Sequence, residues 1–287
     1  MSQMKVWIAG ANGQLGKAVS KELEKDYTSF SLLETDIDEC DITDAKEVRL
    51  YVNRFHPDII INCAAITSLS RCEDNPLEAF KVNAIGARNL CAASNMIGAK
   101  FIQISTDDVF DGTARRPMDE FDAVCPVTVY GKSRLAAERY VKELNPRHII
   151  ISSSWIYGDG ESNIVSKLIE QAKNNEVIEV PTDQISTPTS AKEIAKFIHH
   201  LINAGEYGTY HVTCQGMCSR YEFALKILEL AGLSNTMVKS VLSNPERGVA
   251  HRSRMTILEN MMMKLTSDYV MPEWQDALED YIKTYHV

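Results

Sequence analysis

The sequence predicts an α/β fold with a doubly wound parallel sheet, and three observations predict it. Short apolar runs alternate with helical patterns through the first half of the chain. A glycine-rich turn follows the first apolar run directly. The run Asp58-Ile59-Ile60-Ile61-Asn62 is apolar without alternation, as a parallel strand covered on both faces requires.

The elements follow in order. Lys5–Ala9 reads as a buried strand, Gly16–Lys25 as the helix after it, and Phe30–Thr35 as a second strand. Asp41-Ile42-Thr43-Asp44 opens the next helix, with Asp41 or Thr43 as its N-cap. Asp58–Asn62 is the third strand, Pro76–Asn95 a helix and Lys100–Ser105 the fourth strand. Val127–Leu144 is helical and His148–Ser153 is a strand.

After Tyr157 the rhythm changes. Gly158-Asp159-Gly160 is a loop, Ile164–Asn174 a helix, Val177–Val180 a short strand and Thr189–Ala204 a long helix. Gly208–Thr213 is a strand suited to rejoin the main sheet. Ser219–Ala231 and Trp274–Tyr285 are further helices. Without a repeat or a Pro/Ser-rich linker, two interleaved domains are expected. A dinucleotide-binding domain covers 1–158 and 188–213. A smaller C-terminal α/β substrate domain covers 159–187 and 214–287.

Bulk properties narrow the function. A chain of 287 residues with net charge -9 and pI near 5.3 is poorly suited to nucleic acid or anionic membranes. Phosphate ligands remain open, because backbone amides can bind them locally. The start of the chain does not read as a signal peptide. No apolar stretch approaches the roughly 18 residues of a membrane span. Seven cysteines, at 40, 63, 72, 91, 125, 214 and 218, lack C-x-x-C spacing, so neither a disulfide framework nor a zinc site is expected. No clustered His/Asp/Glu set has metal-ligand spacing, and the expected location is the cytoplasm.

Gly10-Ala11-Asn12-Gly13-Gln14-Leu15-Gly16 is a G-x-x-G-x-x-G turn between the first strand and the first helix. Such a turn lets backbone approach a pyrophosphate at a helix N-terminus, so the sheet is Rossmann-like and binds a dinucleotide. Asp36, at the end of the second strand, suits the ribose hydroxyls and repels a 2′-phosphate, which favours NADH over NADPH. Asn62-Cys63-Ala64-Ala65 ends the third strand, where small residues leave room for a cofactor across the sheet edge. Tyr130 and Arg134 share a helix face, so a cation can pull the phenol's pKa down from about 10. Lys132 points elsewhere. The hydroxyl of Thr106, just past the fourth strand, would hold a substrate carbonyl while Tyr130 protonates it.

These residues resemble the dTDP-4-dehydrorhamnose reductase family of the extended short-chain dehydrogenase/reductase superfamily. The likeness is nearly full length and includes GQLG, STDDVFDG, PVTVYGKSR, SSSWIYG, the Asp183-Gln184 element followed by Pro188-Thr189-Ser190, and Gly208–His211. It implies that Gly10, Gly13 and Gly16 cradle pyrophosphate, that Asp41 and Ile42 flank the adenosine, and that Ala64 and Ala65 lie along the cofactor. It implies Thr106 at the C4 keto oxygen, Tyr130 as general acid, Trp155 near the sugar, and Asp107 and Arg252 on the substrate side. Arg134 stands where the family has the lysine that bonds the nicotinamide ribose.

An arginine keeps the charge but has a larger fork, and Glu138 one turn on is placed to draw it aside. The family usually has tyrosine at Asp108 and often arginine at Ser152. The implied function is NAD(P)H-dependent reduction of a dTDP-linked 4-keto sugar. The Lys-to-Arg change raises the alternative of a non-catalytic NAD(P)-binding partner subunit. A cofactor-retaining epimerase is disfavoured by the Asp-Gln/Pro-Thr-Ser element. The helices over the sheet and Trp274–Tyr285 leave room for a homodimer.

Overall fold

A computed structural model describes residues 3–160, 163–174, 177–243 and 253–284. The strands β1 (Met4–Ala9), β2 (Phe30–Thr35), β3 (Ile59–Asn62), β4 (Lys100–Thr106) and β5 (His148–Ser153) form the main sheet. The short strands β6 (Ile156–Tyr157), β7 (Ile178–Pro181), β8 (Ile185–Ser186) and β9 (Thr189–Ser190) lie outside it. Strand β10 (Gly208–His211) then rejoins the sheet beside β5, as its sequence predicts. The order is β10-β5-β4-β3-β1-β2, every pair parallel. β1 lies between β2 and β3, so the winding reverses there. The crevice at the carboxyl ends of β1 and β3 is the place where such sheets bind ligands.

Strand alternation sends apolar side chains to both faces. Val6, Ile8, Ile61, Ile102 and Ile149 meet α1 (Gln14–Leu23) and α8 (Ala191–Asn203) on one side. Trp7, Ile60, Phe101 and Ile150 meet α2 (Ala45–Phe55), α5 (Ala87–Met96) and α6 (Val129–Leu144) on the other. Full burial of each such side chain stabilises the fold by roughly 1.5–3 kcal/mol.

Several boundaries differ from the sequence reading. Helix α1 begins two residues before Gly16 and passes into a 3₁₀ turn, Glu24–Asp26. Asp44, rather than Asp41 or Thr43, caps α2 by accepting from Lys46 N at 2.7 Å. Asp41 accepts from Thr43 N at 2.8 Å and shapes the preceding loop. The expected helix Pro76–Asn95 is three pieces, α4 (Pro76–Phe80), a π-helical stretch (Lys81–Gly86) and α5, after a short α3 (Leu69–Asp74). Thr189 and Ser190 form β9 beside β6 instead of starting α8.

The remaining elements are α7 (Ile164–Lys173), β11 (Cys218–Ser219), α9 (Arg220–Leu230), β12 (Val238–Val241), α10 (Met261–Thr266) and α11 (Trp274–Thr284). β7 pairs with β12, and α7 and α9 pack beside them. β8 pairs with β11. We call these elements, which share one apolar core with the α1/α8 face of the sheet, the lobe. Tyr285, the expected end of α11, lies outside the described residues. Among those residues no helix is long and apolar enough to cross a membrane.

Candidate active site

The glycine turn is built by backbone. Gly10 has φ of 79°, and a Cβ there would sit 2.5 Å from Ala64 N, so β1 and β3 can end side by side only with glycine. A Cβ on Gly16 would strike the Gly10 carbonyl. Gly13 has more room and is the N-cap of α1. No side chain caps that end, and its first turn carries no acidic residue. Uncapped amides at a helix N-terminus suit a phosphate. Asn12 is exposed there and Gln14 is half-buried, whereas Leu15 turns into the core.

Asp36 reaches back to this turn. Its carboxylate accepts from Asn12 N at 3.1 Å and from Ile37 N at 2.8 Å. Asp41 and Ile42 follow in the same loop, but the Ile42 side chain is buried in the core. Across the crevice, Cys63, Ala64 and Ala65 are half-buried at the end of β3. Desolvation pushes the Cys63 thiol up to about 12, so it is a small neutral wall there, although Arg134 pulls it down.

The second half of the site is built by side chains at the end of β4. Thr128 caps α6 by accepting from Gly131 N at 2.9 Å. A Cβ on Gly131 would overlap the Asp108 carbonyl, so this glycine lets α6 lie against the residues after β4. That contact brings Tyr130 to Thr106. The phenol is buried, and burial raises its pKa more than the Arg134 cation and the hydrogen bond with Thr106 lower it. The sequence reading expected the cation to prevail. Desolvation prevails because α6 packs Tyr130 among Ile66, Leu69, Cys72 and Ala79. A phenol held protonated is what proton donation needs.

Arg134 is 3% exposed, while Lys132 is at the surface. One arm of the guanidinium donates to the Ile104 carbonyl, and Nε has no protein partner. Glu138 does not draw it aside. No ion pair joins the two; Glu138 accepts from Ser105 Oγ and lies 3.8 Å from Lys142 Nζ. The buried, unsatisfied Nε beside the β3 edge and the uncapped end of α1 fit a dinucleotide lying across the crevice.

Asp107 is buried, and its carboxylate is held by hydroxyls of the lobe. Ser186 Oγ donates at 3.2 Å and Thr256 Oγ1 donates to the same oxygen. Trp155 follows β5 with φ of 42°, under the Arg220 side chain. Arg252 lies outside the described residues.

Sequence reasoning missed Asn83, Arg220, Ser186 and Thr256. Asn83 accepts from Ile66 N at 2.8 Å and donates to Ser133 Oγ at 2.9 Å, and Ser133 donates to the Tyr130 carbonyl. Its place in the π-helical stretch gives it this reach, and only the VNAIG interruption of the helical pattern hinted at it.

The family model described as RmlD substrate binding domain matches residues 4–287. The chain belongs to this family. The resemblance read from the sequence therefore holds over nearly the whole chain. The spore coat polysaccharide biosynthesis protein SpsK of Bacillus subtilis is 34% identical over 280 residues, covering 97% of each chain. A dTDP-4-dehydrorhamnose reductase ortholog from Clostridium acetobutylicum superposes with a TM-score of 0.95 at 40% identity, covering 99% of this chain and 100% of that one. The dTDP-4-dehydrorhamnose reductase of Bacillus anthracis, solved in complex with NADP, gives 0.94 at 38% identity, covering 99% of each.

Proposed function

We propose that this family member reduces the C4 keto group of dTDP-4-dehydrorhamnose to give dTDP-L-rhamnose, with NADH or NADPH as reductant. The observation that carries the reading is the meeting of Thr106, Tyr130 and Arg134 at the end of β4, beside the uncapped glycine turn. A bound reduced nicotinamide would supply hydride to C4. Thr106 holds the C4 oxygen by its hydroxyl. Tyr130 gives that oxygen its phenolic proton, and the fixed charge of Arg134 stabilises the phenolate left behind. Gly10, Gly13 and the first amides of α1 would hold the pyrophosphate, and Arg134 Nε would donate to the nicotinamide ribose. Thr106 Oγ1 donates to Asp107 at 3.2 Å, a bond the hydroxyl would exchange for the C4 oxygen when the sugar binds, while Ser186 and Thr256 of the lobe hold the Asp107 carboxylate. Trp155 lies on the sugar side.

The Asp36 carboxylate favours NADH. The dTDP-4-dehydrorhamnose reductase of Bacillus anthracis is solved with NADP, so both nicotinamide cofactors belong in the test. Seven free thiols suit a reducing cytoplasm.

The test is absorbance of the reduced nicotinamide on mixing the protein with cofactor and enzymatically generated dTDP-4-dehydrorhamnose. Absorbance should fall, and Tyr130→Phe should lower kcat about 10²- to 10⁴-fold. Bound cofactor with no turnover would instead support a non-catalytic partner subunit, the alternative that Arg134 raises.

A further inference from the structure

We propose that Arg220 is a positioning residue for the sugar, acting through Trp155. The inference deepens the reductase reading and rests on it. Trp155 has a left-handed backbone, φ 42°, which a bulky side chain adopts only where its surroundings impose it. Three contacts do so. The Trp155 carbonyl accepts from Thr189 N at 3.4 Å. The Arg220 guanidinium carbon lies 3.6 Å from the indole centroid. Phe223 packs at 6.4 Å between ring centroids.

Arg220 and Phe223 are three residues apart on α9, so one helix face grips the indole. The start of α9 is itself fixed. Ser219 and Glu222 form a capping box, and Arg220 N donates to the Gln184 carbonyl at 3.0 Å. Arg220 directly follows β11, whose partner β8 carries Ser186, the residue bonded to Asp107. One two-stranded ribbon therefore ties the indole to Asp107, to which Thr106 Oγ1 donates at 3.2 Å. A guanidinium over the ring fixes its orientation by cation–π attraction and flat stacking. Trp155 is only half-buried, so part of the indole remains open to the apolar C–H face of a hexose.

Steady-state kinetics of Arg220→Ala, Arg220→Lys, Trp155→Gly and the double variant Trp155→Gly/Arg220→Ala test this, with near-UV circular dichroism of the same proteins. Arg220→Ala should raise KM for the keto sugar roughly tenfold, with cofactor KM and kcat within about twofold. Arg220→Lys should fall between, because an ammonium lacks the planar fork. The Trp155 dichroism, identified by its loss in Trp155→Gly, should change in Arg220→Ala. In the Trp155→Gly background the arginine change should add nothing. Equal effects on sugar and cofactor, or additive effects in the double variant, would overturn the proposal and leave Arg220 a scaffold residue. A wild type inactive toward the keto sugar removes the reductase reading and this inference with it. An active wild type whose sugar KM is unmoved by Arg220→Ala removes this inference alone.

Discussion

The two ends of the crevice are made in opposite ways. The β1/β3 end is backbone: three glycines, an uncapped helix and a carboxylate bonded to amides. The β4/β5 end is side chain: Tyr130, Thr106, Arg134 and Asp107 are set by hydrogen bonds across the chain. The first end tolerates almost no added atom, whereas the second depends on which polar atom meets which. Substitutions should therefore fail differently at the two ends.

The largest effect is expected at the backbone end. Gly10→Ala places a methyl against Ala64 at a φ suited to glycine, and should destabilise the fold by about 3 kcal/mol or more and abolish cofactor binding. Denaturant melts and cofactor titration check this; a stable variant that still binds would break the contrast.

His211 belongs to the side-chain end. It is buried, its Nδ1 lies 3.1 Å from the Met118 carbonyl, and burial lowers its pKa to about 4. Protonation is disfavoured in the fold relative to the unfolded chain at about 6.5. Its contribution is therefore full above pH 6.5 and lost as pH falls towards 4, up to about 3 kcal/mol. The stability difference between wild type and His211→Asn should shrink over that window.

Asp107→Asn leaves hydroxyls of Ser186 and Thr256 short of a charged acceptor. We expect a roughly tenfold loss of kcat/KM with cofactor affinity unchanged. A matching loss of cofactor affinity would blur the two ends together. Arg134→Lys should be smallest, at or above wild-type activity within about threefold, since the charge beside Tyr130 is kept. A large loss would show that the hydrogen bond to Ile104 is required for function.

The same contrast explains what could be read from sequence. Gly10, Gly13 and Gly16 are legible because a local backbone demand leaves a local spelling. The strands are legible because apolar runs such as Ile59–Ile61 need no partner to declare themselves. Asp107 and Thr256 stand 149 residues apart, and neither spells its partner. Arg220 looks like any helix-start residue until Trp155 is folded beneath it. The fate of Tyr130 was misjudged for a related reason: the charge of Arg134 is written in the sequence, while the burial that outweighs it comes from α3 and α4. The π-helical stretch was read as plain helix because its reason, the reach of Asn83 to Ile66 and Ser133, is tertiary.

β5 ends at Ser153 and β10 resumes the sheet at Gly208, directly beside it. Part of the lobe, α7, β7 and β8, is thus carried on an excursion whose two feet stand on adjacent strands, and the rest follows β10. Insertions and substitutions within that excursion can change length and chemistry while the feet stay put. The fold can accordingly acquire new sugar preferences by drift in this segment and in the stretch after β10, with the proton donor and the phosphate cradle inherited unchanged.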